Sequence, residues 1–396
     1  MPKRDSATDS MNIGIMLRMS RRSGLGKSND VPGRGAAGGV ARSLSRAAVL
    51  MSLVLAGAGC ERGSSASSTT AEQPIPATLM FGEAGLSPGQ MNYPRAMDGD
   101  GKTLWVIDKA AQVQRFDAAS GTFLGGWKLA DHKFGKPAGV TVWRSGETEM
   151  LLVPETHYHR VTIYSIPTNY DEASGEPPIA LRFGSFGNDA GQFVFPTDVA
   201  VLPTPDGRGI ARLYVGEYGG NDRISIYDAI DPADISKGVN FKASFGSFGE
   251  SATAELIQFN RPQSMEVDVT RKRLVVADAC NHRVGTFTLD GALIAWFGSL
   301  GSEPGQFRYP YGLSLVDDGT ALISEFEGAR VQRVDLDRHV SMGTLGRIGR
   351  GQGELSNPWG VAVLGPMAYV LDSGNHRVMQ FRIDRWNGVA TAGGMR

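Results

Sequence analysis

The 396-residue chain holds 40 Lys and Arg against 41 Asp and Glu, a formal net charge of −1, with 41% apolar residues and 52 glycines. Nine of the cations lie with three acids in the first 46 residues, so the chain beyond residue 59 keeps a net charge of roughly −7. A surface of that sign excludes nucleic acid as a partner, which needs a basic face.

Residues 1–59 read as a leader. The basic stretch precedes AAVLMSLVLAGAG, a 13-residue apolar run too short to cross a bilayer and of the length of a signal-peptide core. Small residues before Cys60, followed by ERGSSASSTTAEQ, resemble a bacterial lipoprotein signal, in which the cysteine becomes the lipidated first residue. Gly57 stands where that family usually has Leu. Plain secretion and a cytoplasmic chain with a fortuitous apolar stretch are the competing readings. SRRSGLGK at 20–27 has a twin-arginine look but lies some 20 residues before the apolar core, and Met19 is an alternative start. On the lipoprotein reading, residues 60–77 are a lipidated cysteine and a Ser/Thr-rich tether too polar to pack. The protein is then anchored to a membrane of the bacterial envelope, outside the cytoplasm. Cys280 is left without a partner, and no internal disulfide forms.

From residue 78 the chain repeats itself. Six Pro-led apolar runs follow one another: PRAM at 94, PAGVTV at 137, PTDVAV at 196, PQSMEV at 262, PYGLSL at 310 and PWGVAV at 358. Each is followed by an acid and then by Arg before a β-branched residue, at Arg160, Arg223, Arg283, Arg330 and Arg377, with Gln112 in the first copy. Gly-rich phrases such as FGSFGNDAGQF from Phe183 and FGSLGSEPGQF from Phe297 come next. Within the fifth copy GLSLV, ALISE, RVQRVDL and SMGTLG alternate with period two, as short antiparallel strands do. One such sheet cannot bury its own faces, and six of them suit packing around an axis. The predicted fold is all-β, a six-bladed β-propeller of four-stranded antiparallel blades over residues 78–384, with a tail at 385–396.

The phrases NHR at 281–283 and 375–377 resemble the NHL-repeat family of propellers, and the resemblance covers roughly residues 78–384. Ala110-Ala111-Gln112 in the first copy and Gly328-Ala329-Arg330 in the fifth depart from the signature. The sixth copy supplies three strands, and its tail lacks the Phe-Gly phrase. The orphan segment at 78–84, TLMFGEA, is predicted to complete that blade along residues 377–383; a strand formed by GVATAGG is the alternative.

The ADACNHRV cluster at 277–284 looks like a metal or thiolate site, yet its sixth-copy counterpart, LDSGNHRV, carries Gly374 in place of Cys280. His159, His282 and His376 share one column, but off-axis turns place them on the order of 20 Å apart, against zinc–nitrogen bonds of about 2.1 Å. Both the His and the Arg columns are predicted to be structural, Arg pairing with the acid of the neighbouring strand. NHL-type lyases carry metal-binding histidines where this chain has Arg95, Ala138, Thr197, Gln263, Tyr311 and Trp359. Lactonases of six blades surround a channel metal with carboxylates, and Asp98, Asp198 and Glu266 lie at two depths. His157 and His159 have a metal-like spacing on what reads as a solvated turn. No metal and no cofactor are predicted.

Blade-to-blade loops converge on one mouth of the central channel. Ring closure makes blades five, six and one neighbours, so Tyr311, Trp359 and Arg95, flanked by Tyr309 and Tyr93, form the candidate ligand site. Rings that merely plug the channel are the competing reading. The long loops at 166–178, 203–209 and 231–240 are expected on the opposite face. The sequence thus reads as a membrane-tethered extracytoplasmic module that binds or scaffolds a protein or small-molecule ligand at the mouth. A metal-dependent lyase or lactonase with its site in the channel is the alternative.

Overall fold

The computed structural model describes residues 75–133, 135–171 and 173–386. The leader, Cys60, most of the tether and the tail from residue 387 lie outside them.

Strand β1 (Leu79–Phe81) precedes the first blade, formed by β2 (Pro94–Gly99), β3 (Thr103–Asp108), β4 (Gln112–Asp117) and β5 (Phe123–Lys128). Blade two holds β6 (Thr141–Ser145), β7 (Thr148–Glu155), β8 (Arg160–Ile166) and β9 (Ile179–Phe183). Blade three holds β10 (Phe195–Pro203), β11 (Ile210–Tyr218), β12 (Arg223–Ala229) and β13 (Val239–Phe245). Blade four holds β14 (Pro262–Asp268), β15 (Arg273–Asp278), β16 (Arg283–Thr288) and β17 (Leu293–Phe297). Blade five holds β18 (Pro310–Leu315), β19 (Thr320–Glu325), β20 (Arg330–Asp335) and β21 (Val340–Leu345). Blade six supplies β22 (Gly360–Leu364), β23 (Met367–Asp372) and β24 (Arg377–Arg382), and β1 completes its sheet. The six sheets of four strands follow the predicted architecture.

Second strands such as β3, β15 and β19 are buried along their whole length, because the two flanking blades cover the two faces of each sheet. The core is correspondingly divided by junction: Leu152, Val161 and Ile163 of blade two meet Val199, Leu213 and Val215 of blade three, and the same arrangement recurs around the ring.

The ring closes through β1, in the register Leu79↔Gln380, Met80↔Met379 and Phe81↔Val378. Thr78 Oγ1 donates to Gln380 Oε1 at 2.7 Å, and the Phe81 ring lies 5.2 Å from that of Phe116 in blade one. The predicted closing strand thus packs against both the first and the last blade.

Strand direction puts the loops at 166–178, 203–209 and 231–240 on one face. The last two touch, Ile210 N donating to Pro232 O at 2.9 Å. The first is more than a solvated excursion, since the buried Tyr170 ring packs tilted against Trp105 at 5.7 Å and edge-on to Trp127 at 5.9 Å.

Candidate functional site

The mouth is built by a local irregularity repeated around the ring. Proline contributes no N–H to the ladder, and in blades one, three, four and five the register shifts just after it, at Pro94/Ala96, Pro196/Asp198, Pro262/Ser264 and Pro310/Gly312. The extra residues are Arg95, Thr197, Gln263 and Tyr311, and a bulge re-aims its side chain. Before the proline, Tyr93, Arg261, Tyr309 and Asn357 adopt left-handed backbone, with φ between 47° and 64°. Non-glycine residues hold that conformation only when their surroundings fix it. Here the preceding blade does so: Tyr93 N donates to His376 Nδ1 at 3.0 Å, Tyr309 N to His282 Nδ1 at 3.1 Å, and Arg261 N to Asp222 Oδ1 at 2.6 Å.

The structure brings the predicted site residues together. Tyr311 meets Trp359 with centroids 4.9 Å apart, Tyr93 stands edge-on to Trp359 at 6.2 Å, and Tyr309 stands edge-on to Tyr311 at 6.4 Å. The Arg95 guanidinium lies over Trp359 at 5.2 Å. Two members escaped the sequence reading. Phe326 stacks on Tyr311 at 4.8 Å, and Arg261 lies between Tyr311 and Tyr218, 5.0 and 4.8 Å from their rings. Tyr311 and Trp359 are only 6% and 8% exposed, so these rings seal the channel as well as lining it. Burial leaves Trp359 Nε1 without an acceptor among the described residues.

Below the mouth is a cavity of about 280 Å³ lined by the first strand or its lead-in from all six blades. Asp98, Asp198 and Glu266 line it together with Arg95, Tyr311 and Trp359. Each carboxylate reaches across a blade boundary. Asp98 accepts from Val142 N at 2.7 Å, Asp198 from Met265 N at 2.8 Å and Glu266 from Leu315 N at 2.7 Å. Ser314 continues the ring by accepting from Val363 N at 3.1 Å. Among the described residues, no group of three His, Cys, Asp or Glu is placed to hold a metal ion.

Burial lifts Asp98 to about 7, Asp198 to about 6 and Glu266 to about 8, and neighbouring carboxylates push Asp98 and Glu266 further. Folded values above the unfolded ones mean that the fold keeps protons the open chain has lost. Stability from these groups is therefore full at low pH and declines as pH rises from about 4 to 8. Glu266→Gln keeps an acceptor for Leu315 N and removes the charge. It is expected to raise stability at pH 8.5 by roughly 1–2 kcal/mol, the channel water screening part of the effect, and to change nothing near pH 4. Thermal melts at both pH values check this; a variant less stable at pH 8.5 contradicts it.

The ADACNHRV cluster is structural. Arg283 Nε pairs with Asp278 Oδ2 at 2.8 Å, and the same contact recurs as Arg223–Glu217, Arg330–Glu325 and Arg377–Asp372 at 2.6, 2.7 and 2.8 Å. Burial pushes the Cys280 thiol up to about 12, which leaves it unreactive. His282 is held down to about 4 by burial and so stays neutral, as its acceptor role requires. His157 accepts from Lys136 N, and His159 bonds to Val194 O.

No family model matches the chain, and no curated protein matches it in sequence. Among solved structures, a structural-genomics protein of unknown function from Bacteroides thetaiotaomicron is similar at a TM-score of 0.52 and 14% identity, over 78% of this chain and 75% of that one. A streptogramin B lyase structure has a TM-score of 0.47 and 12% identity over 77% of this chain and 86% of the other. A nidogen/laminin complex has 0.46 and 14%, over 68% and 84%. The chain is an all-β six-bladed propeller, and at these identities the likeness extends to the fold alone.

Proposed function

We propose that this chain is an NHL-type propeller tethered outside the cytoplasm through a lipid on Cys60, and that it binds a protein or small-molecule ligand at the channel mouth. The observation that carries the binding role is the mouth itself. Arg95, Tyr311 and Trp359 line the cavity, Tyr93 and Tyr309 pack against the two rings, and Trp359 Nε1 lacks an acceptor among the described residues. Rings with a polar edge beside a guanidinium are the chemistry of binding hot spots. The rival, a metal-dependent lyase or lactonase, draws on the three channel carboxylates.

Trp359→Ala would cost about 3–5 kcal/mol through lost packing, so Trp359→Phe and Arg95→Gln are the informative variants. Both are expected to keep the melting temperature within a few degrees and to lose the ligand or partner that the wild type captures from a native envelope extract. Cys60→Ala is expected to move the protein into the soluble fraction. Undiminished capture by both mouth variants sinks the binding reading. A stoichiometric divalent ion in the purified protein favours the enzyme.

A further inference from the structure

We propose that the ligand of this channel is a zwitterion of amino-acid size, its carboxylate held at the mouth by Arg95 and Trp359 Nε1 and its ammonium held in the throat by Asp98, Asp198 and Glu266. The inference rests on the mouth being the binding site and adds the class of ligand.

One cavity carries donors at one end and acceptors at the other. At the mouth the Arg95 cation lies against Trp359, whose Nε1 is buried and has no acceptor among the described residues. Trp127, Trp296 and Trp386 also bury an Nε1 with no acceptor among the described residues, but of the four only Trp359 lines this cavity, beside Arg95, where an acceptor of a ligand can relieve the cost of the unpaired donor. Three residues further along β2 comes Asp98, and the same step along β14 leads from Gln263 to Glu266. At the rise of a strand this separates the two layers by roughly 10 Å, and Asp198 lies between them.

Among the described residues the throat carboxylates have no paired cation. Asp100 is paired with Arg144 at 2.7 Å and Asp268 with Arg273 at 3.1 Å, but no ion pair among the described residues involves Asp98, Asp198 or Glu266. Among the described residues Glu266 accepts a hydrogen bond at Oε2 alone, from Leu315 N. Oε1 is left to whatever fills the cavity. Burial is the largest cause of the raised affinity of these carboxylates for protons, and the backbone N–H donors offset it only in part. Like charges add to this at two of them: Asp198 and Asp100 act on Asp98, and Asp98, Asp198 and Asp268 act on Glu266.

Size and walls narrow the class. A volume of about 280 Å³ holds roughly nine waters, which is the space of one amino-acid-sized molecule. Tyr311 and Trp359 flank it, and aromatic faces accept both methylene chains and ammonium groups. A carboxylate and an ammonium joined by roughly four to six methylenes match the separation of the two layers.

Titration calorimetry of the full chain with ε-aminocaproate, caproate and hexylamine tests the proposal. ε-Aminocaproate is expected to bind at least tenfold more tightly than either single-headed probe and to release protons at pH 7, as an ammonium displaces them from the throat. Glu266→Gln and Asp98→Asn are expected to erase its advantage over caproate. Should those variants fail to fold, the buffer dependence of the wild-type enthalpy reports the proton release by itself. Equal binding of caproate and ε-aminocaproate overturns the zwitterion while leaving the mouth occupied by a carboxylate, so the binding site survives. Binding by none of the three also overturns it, and the mouth is then judged by the capture experiment with Arg95→Gln.

Discussion

Deleting residues 78–84 is expected to lower the melting temperature by about 10 °C or more and to make the protein aggregate as it warms. The deletion removes β1, leaving the backbone groups of β24 at 378–380 as an unpaired edge. It also takes the Phe81 ring away from Phe116 and the backbone bond from Met91 N to Glu83 O, which shapes the approach to blade one. Blades six and one would keep their apolar contact and the bonds of Tyr369 and Gln380 to Ala118 O and of Tyr93 N to His376, but the contact between residues over 300 positions apart, Thr78 with Gln380, would be lost. A chain beginning at Asn92 that melts like the full protein would show that the ring does not need this strand. Differential scanning calorimetry with light scattering reads both outcomes.

Arg283→Ala is expected to cost about 3–5 kcal/mol, because it strands a buried carboxylate and several carbonyls at once. The Arg283 side chain is 8% exposed, pairs with Asp278 and stacks on Trp296 at 3.7 Å. Its terminal nitrogens donate to the carbonyls of Glu250, Ser251 and Gln258 in the Gly-rich loop. Asp278 in turn accepts from Asn260 N at 2.7 Å, so one ion pair fixes the whole approach to blade four. Arg283→Lys restores the charge without the planar fork and recovers only part of the loss. Burial already lifts Asp278 to about 6 with Arg283 in place. Without the guanidinium the carboxyl holds its proton to higher pH, so the deficit grows between pH 6 and pH 8. Arg382→Ala is the control, its partner Asp384 and itself both being exposed, and no shift is expected. Chemical denaturation of the three variants at pH 6 and pH 8 measures all of this. Equal costs for Arg283→Ala and Arg382→Ala would refute the structural role of the column.

The likeness between ADACNHRV and LDSGNHRV was enough to separate scaffold from chemistry in the sequence. A position that recurs from blade to blade serves what each blade must do, so the acid five or six residues before the Arg of blades two to six reads as its partner across one hairpin. The same repetition, with the orphan segment at 78–84 and the incomplete sixth unit, determined blade number, strand count and closure, because each unit's apolar alternation has nowhere to be buried except against its neighbours. The positions after each proline identified Arg95, Tyr311 and Trp359 as neighbours once the ring was closed.

Only the tertiary structure decided depth. Alternation tells which face of a strand a residue takes, but not how far along the axis it sits or whether its ring is covered. Trp359 and Tyr311 are buried because Phe326, at the end of the next strand of blade five, packs on both and Arg261, from the approach to blade four, covers Tyr311. Arg261 precedes its proline and looks like a loop cation until its left-handed backbone turns it onto Tyr311. Asp98, Asp198 and Glu266 stand far apart in the chain and at different steps of their strands. They feel one another only because six first strands share one axis, and charge acts across that axis as no local sequence window records.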